Sequence, residues 1–282
     1  MGDIYLGLLV LAVFSTAMFG AGRAIGRRVS PRAANWLSLL TVISLVAYIA
    51  CVWDKTLLVG LLPFSNLIVL GNWFPLVAAF LGGLAFSQIA MPPWRRSLTA
   101  FGLQLAAVVV VLFPFMGDVP RCGHVWSEGI CLQTTKQTCS AASAATLLKL
   151  HGIETTEQEM ADLCLTRRGT NWMGLYRGLK KKTAGTEWDV EVFTGSADEL
   201  RGINSPAILS VGLAREAHAD RFYQTELGWR PGMRHSVVLL RFVTDLVEIG
   251  EPTLDAGRER WTNDDLRELY LGQGMRLIRR VK

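Results

Sequence analysis

Glutamate is absent from the first 120 residues of this 282-residue chain. The same stretch holds three aspartates (Asp3, Asp54, Asp118) and seven basic residues (Arg23, Arg27, Arg28, Arg32, Lys55, Arg95, Arg96). So little charge excludes an ordinary water-facing surface for this half and points to a membrane environment. Cysteine and histidine are scarce too, at five and four. Five cysteines rule out a disulfide-dense scaffold, and four histidines leave few candidates for a base or a metal ligand. There is no Walker motif, which excludes P-loop nucleotide hydrolysis. From Gln133 to the end, low-complexity segments and internal repeats are also missing.

What the chain has in quantity is apolar residue, 50% of the total, with a mean hydropathy of +0.29. The apolar runs at 4–22, 36–53, 73–91 and 98–116 are each long enough, at about 20 residues per crossing, to span a bilayer as helices. A signal peptide at the start is the weaker reading, because the charges follow the first run instead of preceding it. The uncharged stretch 57–91 is broken by Pro63, Ser65, Asn66, Gly71-Asn72 and Pro75. It is too long for one helix and short for two, so it reads as one span preceded by an interfacial or re-entrant segment over 57–70. Arginines after the first span and between the last two belong on the cytoplasmic side by the positive-inside rule. Four spans satisfy both clusters and put everything after Met116 outside the cytoplasm. Of the totals of 29 basic and 24 acidic residues, 22 and 21 fall after Pro120, so that half is nearly neutral. The sequence pI of 9.1 therefore gives no reason to expect nucleic acid as a partner.

The expected fold class is α+β: a four-helix transmembrane domain over 1–120, then a soluble domain over 121–282 with helices first and an antiparallel sheet after. Expected helices open at Cys139, at Thr156 with Thr155 or Thr156 as cap and Glu159 spaced for a capping box, and at Trp172 with Asn171 as cap. Alternation at 187–193, 206–211, 235–243 and 246–249 reads as strands, the last two as a hairpin. Residues 212–232 break the pattern as a long polar and aromatic insertion. A helix capped by Thr262 and a strand around 275–281 close the chain.

The stretch from Gln133 to Cys139 carries the chemistry. A cysteine opening a helix meets unpaired N–H groups and the positive dipole end, both of which favour thiolate. A glutamine six residues earlier is able to donate to a developing oxyanion. Such a thiolate needs a base and a group to orient it. Of His124, His151, His218 and His235, only His235 begins an apolar strand, where an imidazole at the mouth of a sheet faces a packed helix. Cys51 and Cys164 read as packing. Cys122 and Cys131 flank a short loop and are candidates for pairing in an oxidising compartment. With His124 between them they lack a fourth ligand, so neither metal nor cofactor is expected.

These residues resemble the C39 family of papain-like cysteine peptidases, known for processing the leader peptides of exported bacteriocins. The resemblance rests on Gln133 to Cys139, the Ala-Ala-Ser-Ala-Ala run at 141–145, Arg168-Gly-Thr170-Asn-Trp-Met-Gly-Leu175, Pro206-Ala-Ile208, His235-Ser-Val-Val-Leu and the Pro-containing turn after the next strand. It covers residues 131–282. It implies Cys139 as nucleophile, His235 as general base and acid, and Gln133 as oxyanion donor. The family usually has Asp-Pro in that turn, where this chain has Glu251-Pro252, with Asp255 four residues on. By position Glu251 is the orienting acid, and by side-chain type it is Asp255. Familiar C39 domains are cytoplasmic parts of ATP-driven exporters, whereas the charge pattern here puts the domain outside.

The expected activity is therefore that of a bacterial inner-membrane thiol peptidase, with its soluble domain extracytoplasmic and a peptide or protein, membrane-associated or free, as substrate. An acyl-enzyme intercepted by an amine or lipid would instead make a transferase. A non-catalytic groove that holds an exported peptide is the alternative from another class.

Overall fold

The computed structural model describes residues 1–53, 55–88, 90, 92–203, 205–213 and 221–280. His218 lies outside them. The chain divides into two compact units, Met1–Met116 and Gly117–Lys282.

The first unit is helical: α1 (Gly2–Gly26), α2 (Pro31–Cys51), α3 (Leu57–Leu61), α4 (Leu67–Leu70), α5 (Phe74–Gln88) and α6 (Pro93–Leu112). Four stretches are long and apolar enough to cross a membrane: Gly2–Gly26, Pro31–Cys51, Leu67–Gln88 and Pro93–Phe115. The third joins α4 to α5, so its start lies inside the stretch read as interfacial or re-entrant. Its apolar window is 61% buried against 22% or less for the others, which makes it the enclosed one. Small residues permit this. A Cβ at Gly22 would strike the Phe80 carbonyl, and one at Gly83 the Phe19 carbonyl, so α1 and α5 touch backbone to backbone where only glycine fits. Local signals set the ends: Ser30 Oγ accepts from the Ala33 N–H ahead of Pro31.

The second unit is α+β. It begins with a hairpin of β1 (Val125–Ser127) and β2 (Ile130–Leu132), followed by α7 (Cys139–Leu150), α8 (Glu157–Leu163) and α9 (Trp172–Lys182). Next come β3 (Trp188–Thr194), a 3₁₀ turn at Glu199–Gly202, β4 (Ala207–Gly212), α10 (Arg221–Thr225), β5 (Arg234–Val243), β6 (Leu246–Glu251), β7 (Gly257–Thr262), α11 (Asn263–Leu269) and β8 (Tyr270–Arg279). The six strands β3 to β8 form one antiparallel sheet in the order β3-β8-β4-β5-β6-β7.

Ala141, Ala142, Ala144 and Ala145 are fully buried, as are Leu147 and Leu148. A helix this small in cross-section is able to lie close to β5 with all sides enclosed. Side chains alternate along a strand, so Ser236 and Val238 of β5 face one way and His235, Val237 and Leu239 the other. The first set meets α7, as the Ser236 contacts with that helix show. Of the second, Val237 and Leu239 join a core with Leu209, Ile249, Trp229, Trp261 and Leu266, while His235 stands at the end of the strand.

Several expectations need correction. Thr156 does cap α8, accepting from the Glu159 N–H at 3.1 Å, but Glu159 turns its carboxylate to Thr155 and Lys182, so the capping box is not closed. The reciprocal box forms instead at α11, between Thr262 and Asp265. β1, β2 and β7 match no expected strand, and α10 lies in the stretch expected to be an insertion. β7 was hidden because Glu259 sits among its inward positions, where a strand pattern calls for an apolar residue.

Candidate active site

Cys139 is the first residue of α7, and its N-cap Thr138 makes no side-chain capping bond. The first-turn N–H groups and the positive helix end are thus left to act on the sulfur. Cys139 is partly exposed, whereas Cys131 and Cys164 are buried. Its thiol is in hydrogen-bond contact with His235, the Ser236 N–H and the Ser140 hydroxyl. Burial pushes the thiol up, but the His235 charge and these hydrogen bonds outweigh it and hold it below the usual thiol range. The unit's other three thiols go the opposite way. Burial raises Cys122 to about 11 and Cys131 and Cys164 to about 12.

His235 is the second residue of β5, so its ring stands at the strand mouth where α7 begins. Nε2 lies 2.7 Å from Glu251 Oε1, which leaves Nδ1 for the sulfur. Burial alone would lower this imidazole. The Glu251 carboxylate and the Cys139 sulfur overcome it and raise His235 well above its ordinary value. Each of the two groups thus favours the charged form of the other.

Glu251 ends β6 and is fully buried. Its Oε1 also accepts from the Thr253 N–H at 2.9 Å and the Thr253 hydroxyl at 2.5 Å, which fixes the carboxylate. Asp255 is exposed in the turn beyond, at a left-handed φ of 70°. Of the two candidate acids, only Glu251 is the imidazole's hydrogen-bond partner. Gln133 is tied to the same corner through its N–H, which donates to the Pro252 carbonyl at 2.6 Å. Its amide Oε1 is buried with no hydrogen-bond partner among the described residues. That oxygen only accepts, so donation to an oxyanion would fall to the amide NH₂ of the same side chain.

Three contacts had no usable signal in the sequence. Trp229, from the insertion, lies over His235 with ring centroids 4.7 Å apart and is 7% exposed. Glu259 projects from β7 on the same sheet face as Glu251. Burial, and then the Glu251 charge, hold it above the usual carboxylate range although Trp261 Nε1 donates to it. Ser140 and Ser236 meet beneath the pair. A tryptophan in a polar loop or a serine beside a nucleophile is too common to single out.

The other candidates lie elsewhere. His124 packs edge-on to Trp126, and His151 binds the Leu147 carbonyl and packs on Trp188. Cys122 and Cys131 are both free thiols. Among the described residues no group of three His, Cys, Asp or Glu side chains is placed to hold a metal.

No family model matches the chain, and no curated protein matches it. Among solved structures, the peptidase domain of Streptococcus ComA, a bifunctional ABC transporter of a quorum-sensing pathway, is 16% identical over 54% of this chain and 98% of its own, with a TM-score of 0.43. A double-glycine-motif protease from an AMS/PCAT transporter, solved with its leader peptide, is 15% identical over 58% of this chain and 96% of its own, at 0.41. A putative C39-like peptidase from Bacillus anthracis is 17% identical over 60% and 98%, also at 0.41. These likenesses are too distant to carry an argument, and the site rests on its own geometry: a thiol, an imidazole and a buried carboxylate joined in that order, beside a buried amide with an unmet edge.

Proposed function

We propose that this protein is a membrane-anchored thiol peptidase whose soluble domain works on the extracytoplasmic face of a bacterial inner membrane. The observation that carries the reading is the continuous contact from Cys139 through His235 to Glu251, in which Cys139 is the one depressed thiol of its unit.

In the reaction the Cys139 thiolate adds to a peptide carbonyl carbon, and the carbonyl π electrons move to oxygen. The Cys139 backbone N–H and the Gln133 amide donate to that oxyanion. Collapse expels the amine, which takes a proton from the His235 imidazolium and leaves a thioester on Cys139. Neutral His235 then removes a proton from water. The hydroxide equivalent attacks the thioester, the thiolate departs, and a carboxylic acid is released. Glu251 holds the ring through Nε2 and stabilises its charged form throughout. Four spans in the same chain favour a peptide that is itself membrane-associated, and they leave acyl transfer to an amine or lipid as a second fate of the thioester.

The test is full-length protein against Cys139→Ala, in cells and in right-side-out vesicles. The variant is expected to express and melt like the parent, to accumulate uncleaved extracytoplasmic peptides, and to be digested by externally added protease. An unchanged peptide profile would sink the reading. A lipid-derived thioester trapped at Cys139 would convert it to a transferase.

A further inference from the structure

The residue after the nucleophile and the residue after the histidine are both serines, and they touch. Ser140 Oγ lies 2.8 Å from Ser236 Oγ, with the two residues only 6% and 9% exposed. The same Ser140 hydroxyl lies 4.0 Å from the Cys139 sulfur. Ser236 contributes more, since its N–H reaches the sulfur and its carbonyl accepts from Ser143 Oγ at 3.0 Å. The helix that carries the thiol is thus fastened to the strand that carries the imidazole, directly behind the reacting pair.

We propose that Ser140 and Ser236 are positioning residues that keep the Cys139 sulfur ionised and within reach of His235. This rests on the thiol-hydrolase reading. Either hydroxyl of the pair could be the donor, and the direction that serves the sulfur runs from Ser236 Oγ–H to Ser140 Oγ and from Ser140 Oγ–H to the sulfur. That direction suits a thiolate, which only accepts, and is lost when a proton returns to sulfur. The pair also fixes the separation of two elements that do not adjoin in the chain. A catalytic contact made across such a seam depends on the packing that holds it.

Among the described residues, the charged and titratable groups around the sulfur are few. β5 presents His235, β6 presents Glu251 behind it, and β7 presents Glu259 beyond that. Cys131 on β2 stays protonated, pushed up to about 12. The first turn of α7 has no acidic residue, and β4 has no titratable side chain. Removing either hydroxyl therefore leaves the ionisable set intact, so a change in thiolate formation reports on the hydroxyls.

The experiment measures the rate at which iodoacetamide alkylates Cys139 in the full-length protein, quantified on its own peptide, as a function of pH. In the parent the acid-side midpoint is expected well below an ordinary thiol's. Ser140→Ala and Ser236→Ala are each expected to raise it by about one unit, a roughly tenfold lower rate on the acid side. The Ser140→Ala/Ser236→Ala double variant is expected to shift no further than either single one, because the two act as one chain. The double variant also leaves neither hydroxyl orphaned, which keeps the test valid if a single variant misfolds. Ser143→Ala loosens the same seam without touching the sulfur, and is expected to lower the melting temperature with the midpoint in place. An unmoved midpoint in the Ser140 and Ser236 variants, or an equal shift in Ser143→Ala, overturns the proposal while the thiol reading stands. An ordinary midpoint in the parent overturns the thiol reading itself.

Discussion

His235 Nε2 and Glu251 Oε1 stand 2.7 Å apart with the carboxylate fully buried, while Asp255, an equally plausible partner by residue type, is exposed in the turn that follows. Position along β6 decides between them. Glu251 is the last residue of that strand, and its side chain shares a sheet face with His235. Thr253 caps the same carboxylate oxygen and leaves it little freedom.

Glu251→Gln is therefore expected to lower kcat on the order of 10²-fold or more, since the imidazole loses both its orienting acceptor and its counter-charge. Asp255→Asn is expected to leave kcat unchanged and stability within about 0.5 kcal/mol, as asparagine tolerates a positive φ and the site is exposed. Parallel turnover and melting measurements on the two variants check this. Equal losses would return Asp255 to candidacy.

Activity is expected to form a broad bell in pH. The acid limb follows protonation of Cys139, which lies below the usual thiol range. The alkaline limb follows loss of the His235 proton, at a pH well above 6.5. Stability shares the alkaline limb. His235 is raised on folding, so its contribution is complete below pH 6.5 and is lost as pH rises through the folded-state value. A kcat/KM profile with melting temperatures across the same range checks both. A profile rising through neutrality, as for an isolated thiol, would contradict the ion pair.

Trp229 keeps water off the imidazole. Trp229→Ala is expected to cost about 3–5 kcal/mol of stability and, by relieving the burial that lowers the imidazole, to move the alkaline limb to higher pH, whereas Trp229→Phe retains a ring and most of the limb's position. Denaturant midpoints and the kcat/KM profile of the two variants separate shielding from simple packing.

The four long apolar stretches were legible because a bilayer-spanning helix announces itself through length and missing charge. Strands β3 to β6 were legible because their alternation has a period that survives without knowledge of neighbours. Cys139 and His235 stood out through local chemistry, one opening a helix and the other opening a strand. β7 failed that test because its Glu259 is accommodated by Trp261, a contact that exists only once the strand is in place. The start of the third long apolar stretch was displaced because proline, asparagine and glycine read as interruptions, while the folded unit buries Gly71, Asn72 and Pro75.

By itself, then, the sequence determined the long apolar stretches of the first half, the α+β order and which sulfur and which imidazole to watch, since these depend on composition and on periods along the chain. Only the tertiary structure decided which acid meets His235, that Trp229 covers it, and that Ser140 reaches Ser236. Each of those contacts joins residues that the chain separates and the sheet brings together, and no local period encodes such a meeting.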